Sequence, residues 1–68
     1  MQKRSLTLAG HRTSLALEPE FWSGVEAMAA ARGVTSTALI REIDERREGD
    51  NLSSAVRIAV LKYYQRTG

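Results

Sequence analysis

The chain has 68 residues, 43% of them apolar and 26% charged, with no cysteine, a single histidine and a formal net charge of +2. That length holds one small domain, which normally buries too little apolar surface to be comfortably stable alone, and no disulfide is available to staple it. A multi-ligand Cys/His zinc site is excluded, no apolar run approaches the roughly 18 residues of a membrane span, and the N-terminus lacks the continuous apolar core of a signal peptide. The composition is that of a folded, soluble, cytoplasmic protein that completes its core as a homo-oligomer.

The charge is unevenly placed. Residues 1–17 carry Lys3, Arg4 and Arg12 and no acid, for +3; residues 18–50 hold all eight acids against four arginines, for −4; residues 51–68 return to +3 through Arg57, Lys62 and Arg66. Basic ends around an acidic middle point to a polyanion that touches one face of the molecule.

The first element is the stretch KRSLTLAGHRTSLAL, residues 3–17, in which SLTL and SLAL are near copies either side of Ala9-Gly10. Leu6 and Leu8 hold even positions while Thr13, Leu15 and Leu17 hold odd ones, so the period-2 pattern changes phase near Gly10. A two-residue hairpin loop at Ala9-Gly10 does this by pairing Leu8 with His11, Leu6 with Thr13 and Ser5 with Ser14. A single long strand with a β-bulge at Gly10 does it equally well, and Ala9 suits a type I′ turn poorly. In both cases the leucines share one face, and Lys3, Ser5, Thr7, Arg12, Ser14 and Ala16 share the other.

Glu18-Pro19-Glu20 then starts a helix expected over 19–32, since proline suits the first helical position and acids suit the positive end of the dipole. Phe21, Val25, Met28 and Ala29 recur at helical spacing, Trp22 lies one position off that stripe, and Gly33 closes the helix. Thr35 or Ser36 caps a second helix over 35–47 with Leu39, Ile40 and Ile43 inward. The charged run DERREGD, residues 44–50, ends it. Asn51 caps a third helix over 51–65, striped by Leu52, Ala55, Val56, Ala59, Val60 and Tyr63.

A basic strand, an acid-proline helix start, a helix ending in glycine and a Ser/Thr-capped second helix, in that order, resemble the ribbon-helix-helix family of small bacterial DNA-binding proteins. The motifs KRSLTLAGHRTSLALEPEFW and NLSSAVR carry the resemblance to a compact bacterial group within it. It implies a mainly α domain with a short N-terminal β segment, spanning 1–68, in which one strand from each subunit of a homodimer pairs into an antiparallel ribbon. The family lays that ribbon in the DNA major groove and grips a phosphate at the start of its second helix. Carried onto this chain, the outward residues Arg12, Ser14 and Ala16 read bases and the helix start at Thr35 and Ser36 contacts the backbone; from their own chemistry, Lys3, Arg4 and His11 are expected to contact phosphate as well. Leu15, Leu17, Phe21, Trp22, Val25, Ile40, Ile43, Val56 and Val60 form the dimer core. The third helix is extra to the usual strand and two helices. Because NLSSAVRIAVLKYY itself looks like the family's capped second helix, either helix start could hold the phosphate.

The chemistry agrees with a duplex ligand. A two-stranded ribbon fits the major groove, and an arginine such as Arg12 can make a bidentate contact to guanine worth roughly 1–3 kcal/mol of discrimination. Ser14 discriminates less, and Ala16 offers only a methyl group to thymine. No catalytic constellation or phosphate loop is present, so the expectation is a non-enzymatic transcriptional repressor with no cofactor, small-molecule substrate or membrane partner. The alternative is an antitoxin-like or scaffolding module that uses the same dimer fold to bind a protein.

Overall fold

Ala9 and Gly10 turn the chain back on itself. Both take positive φ, +51° and +81°, as a type I′ hairpin loop requires. The computed structural model describes residues 1–49 and 51–67, and in it β1 (Gln2–Leu8) pairs antiparallel with β2 (His11–Leu17). Leu8 opposes His11, Leu6 opposes Thr13 and Ser5 opposes Ser14, so the hairpin, and not the bulged single strand, produces the change of phase. Asp50, the last residue of the charged run, lies outside the described residues.

Three helices follow: α1 (Pro19–Arg32), α2 (Ser36–Arg46) and α3 (Leu52–Thr67). Proline opens α1; Gly33 ends it in the left-handed conformation, and the Val34 N–H donates to the Ala29 carbonyl at 3.0 Å. Thr35 caps α2 by accepting the Ala38 N–H on its hydroxyl at 3.0 Å, and Asn51 caps α3 by accepting the Ser54 N–H at 2.8 Å. Each cap satisfies one of the amide groups that a helix start leaves without an internal partner.

The leucine face of the hairpin lies on the helices. Leu8, Leu15 and Leu17 are buried with Trp22, Val25, Met28 and Ala29 of α1, Leu39 and Ile40 of α2, and Val56 and Val60 of α3. Phe21 and Ile43 pack half-buried at its margin. Leu15, Leu17, Trp22, Val25, Ile40, Val56 and Val60, the residues expected in a dimer core, are buried within one chain. The physical reason is α3, which packs against β2, α1 and α2 and covers apolar surface that a strand and two helices would leave open. Among the described residues no polar or charged side chain is buried. None of the described helices is long and apolar enough to cross a membrane.

Candidate nucleic-acid interface

Strand parity decides what the hairpin shows to its surroundings. With the leucines turned to the helices, Lys3, Ser5 and Thr7 of β1 and Arg12, Ser14 and Ala16 of β2 lie on the opposite face. All are exposed except Ala16, which is half-buried. Thr7 opposes Arg12, Ser5 opposes Ser14 and Lys3 opposes Ala16, so each basic residue stands at one end of the face beside a small neighbour.

Five of the six arginines outside the hairpin are committed elsewhere. Arg32, Arg41, Arg46, Arg47 and Arg57 each pair with a carboxylate, at 2.8 Å to Glu42, 3.4 Å to Glu45, 3.2 Å to Glu42, 2.6 Å to Asp44 and 2.9 Å to Glu18 respectively. The Arg32 hydrogen bond holds the Glu42 carboxyl below its ordinary pKa, and Arg57 does the same for Glu18. Lys3 and Arg12 make no ion pair among the described residues, so their charge is available to an anion.

Arg4 does not join them. An even position places it on the leucine side, where its guanidinium sits 4.3 Å from the Trp22 ring centre and pairs with Glu26 at 3.1 Å. The expectation that Arg4 works alongside Lys3 rested on charge alone; the pleat separates the two side chains. His11 is exposed beside the loop, also at an odd, leucine-side position. Thr35 spends its hydroxyl on the α2 cap, and Ser36 is half-buried in the first turn.

Thr7 and Thr35 both line a shallow depression, with Thr37, Ala38, Arg41, Glu42 and Glu45. The start of α2 therefore borders the outward face of the hairpin. Thr7 and Ser5 were absent from the residues assigned a contact by sequence, although the alternation that places Ser14 outward places them there too.

A solvent-facing antiparallel ribbon carried on a helical core, with uncompensated cations on the ribbon, is the architecture of a small ribbon-helix-helix domain. A family model described as the ribbon-helix-helix domain matches residues 1–64, and the chain belongs to that family. A solved structure, an uncharacterized protein from Bordetella pertussis Tohama I, is 40% identical with a TM-score of 0.80. The match covers 93% of this chain and 54% of that one, so this chain spans about half the length of its structural relative. No curated protein matches the chain.

Proposed function

We propose that the protein binds double-stranded DNA with the outward face of its hairpin in the major groove and acts as a transcriptional repressor, with two copies assembling as the homodimer usual in the family. The observation that carries this reading is the placement of Lys3 and Arg12: exposed, unpaired and on the ribbon, in a molecule whose other ribbon arginine and helix arginines at 32, 41, 46, 47 and 57 are neutralised by neighbouring acids. A two-stranded ribbon matches the roughly 12 Å width of the groove, and the hydroxyls of Ser5, Thr7 and Ser14 supply donors and acceptors for base edges. Arg12 is the principal reader, and Lys3 contributes phosphate neutralisation.

Titration of fluorescent duplexes drawn from genomic fragments tests the proposal. Wild-type protein should prefer some sequences over others at moderate salt, and Arg12→Ala should lower affinity for the preferred duplex about tenfold or more. Each lost phosphate contact should reduce the log-log salt slope by about 0.9. Uniform affinity for all duplexes, or an Arg12→Ala variant that binds the preferred one unchanged, would refute it; co-purification of a stoichiometric protein partner without DNA would favour an interaction module instead.

A further inference from the structure

A sequence repeat and the strand register coincide in the hairpin. The sequence repeats SLTL as SLAL at a spacing of nine residues, and the strand register sets Ser5 directly opposite Ser14, also nine residues apart. An antiparallel pair has a local two-fold axis at any directly opposed pair of residues. The axis at Ser5 and Ser14 carries each residue of β1 onto the one nine positions later in β2: Lys3 onto Arg12, Ser5 onto Ser14, Leu6 onto Leu15, Thr7 onto Ala16 and Leu8 onto Leu17. Basic falls on basic, serine on serine and leucine on leucine. A loop one residue longer would shift the register and destroy the correspondence.

Two of the helices repeat a pattern as well. Helix α2 packs beside β1 and α3 beside β2. Each begins with a side-chain cap three residues before the amide it binds, Thr35 to Ala38 and Asn51 to Ser54. Five positions after each cap stands a fully buried β-branched residue, Ile40 or Val56, and six positions after it an arginine, Arg41 or Arg57. The likeness of NLSSAVR to the family's second helix is thus part of a repeat, and α1 alone has no counterpart.

We infer that one chain carries a complete two-fold reading ribbon, in which the row Lys3, Ser5, Thr7 is equivalent to the row Arg12, Ser14, Ala16, so that each hairpin reads a short inverted repeat by itself. This rests on the proposed binding of DNA. Lys3, given a phosphate role by charge, occupies the place of Arg12 on the second row. Lys3 and Arg12 stand four residues apart along the ribbon, about 13 Å at strand spacing, or roughly four base-pair steps. Groove width favours the same assignment. Two hairpins joined edge to edge would place about 14 Å between outer strand axes, more than the roughly 12 Å groove, whereas one hairpin fits. The repeat is imperfect because lysine is a point charge and arginine a planar fork, so one half-site is read less strictly than the other.

The test is selection of bound sequences from a random duplex pool with wild type, Lys3→Ala and Arg12→Ala. The expected wild-type preference is an imperfect inverted repeat; Arg12→Ala relaxes one half and Lys3→Ala the other, each lowering affinity for that half about fivefold or more. If Arg12→Ala relaxes both halves and Lys3→Ala neither, two copies of β2 form the reading pair and the inference fails while DNA binding stands. If wild type selects nothing, DNA binding itself fails and the inference with it. A Ser5→Cys/Ser14→Cys double variant gives a second readout in a chain without native cysteine. Oxidation should link the two positions within one chain, and a covalent dimer would overturn the inference.

Discussion

At Gly24, α1 packs directly against α3, and adding one carbon there puts the packing to a test. A Cβ on Gly24 would lie 2.5 Å from Val60 Cγ1 and 3.4 Å from Tyr64 Cε2. Carbon atoms rest at about 3.5–4.0 Å, so the helices must separate by roughly 1 Å. Val60 is buried and β-branched, with little rotamer freedom in a helix, so its methyl cannot swing aside. Overpacking of this kind costs about 1–3 kcal/mol. Against it stands the gain from replacing a helical glycine by alanine, about 0.5–1 kcal/mol. Gly24→Ala should therefore lower stability by about 1–2 kcal/mol, or the melting temperature by roughly 4–16 °C for a domain of this size. Thermal and urea unfolding followed by circular dichroism provide the measurement, with Ser23→Ala on the exposed side as control. Combining Gly24→Ala with Val60→Ala should cost less than the sum of the two, because the second change removes the obstructing methyl. A Gly24→Ala protein more stable than wild type would mean that helix propensity alone operates and that α1 and α3 do not meet there.

Further outcomes follow from the turn, the caps and the ion pairs. Ala9→Asn should raise stability by about 0.5–1 kcal/mol, because asparagine tolerates the +51° φ that alanine adopts at a cost; a lower melting temperature would contradict the type I′ loop. Thr35→Ala and Asn51→Ala should each destabilise by about 1 kcal/mol, and equal costs in urea unfolding would match the equivalent cap geometry of α2 and α3. Glu18 and Glu42 have folded pKa values held below 4.5 by Arg57 and Arg32. Their contribution is present above pH 4.5 and is lost as pH falls through the lowered values. Melting temperature should thus decline on acidification below about pH 5, and the Glu18→Gln/Glu42→Gln double variant should decline less; an unaltered pH profile in that variant would dismiss these pairs.

The change of phase was legible because leucines switch from even to odd positions across Ala9-Gly10, which a tight reversal or an inserted residue can do; the register followed only once the chain was seen to reverse there. Proline at 19, glycine at 33 and the caps at 35 and 51 mark helix ends through backbone chemistry that tertiary packing does not override. The surroundings of Arg4 were less legible: its phosphate role was assigned from charge, whereas its even position sets it beside Trp22 and Glu26. The enclosure of the core within one chain was hidden for a different reason: periodicity shows that α3 has an apolar stripe but not which surface the stripe covers. Trp22 illustrates the same gap, since a position one step off the stripe became a buried centre only once β1 folded over it.

Trp22 has a practical consequence. It is the single tryptophan, 1% exposed, with its indole N–H donating to the Gln2 carbonyl at 2.9 Å and the Arg4 guanidinium over its ring. Its emission colour and quenching therefore report whether the first strand is seated on the first helix, without any attached dye. Lifting that strand should shift the fluorescence to the red before far-ultraviolet ellipticity records any loss of helix, giving an optical signal specific to the hairpin.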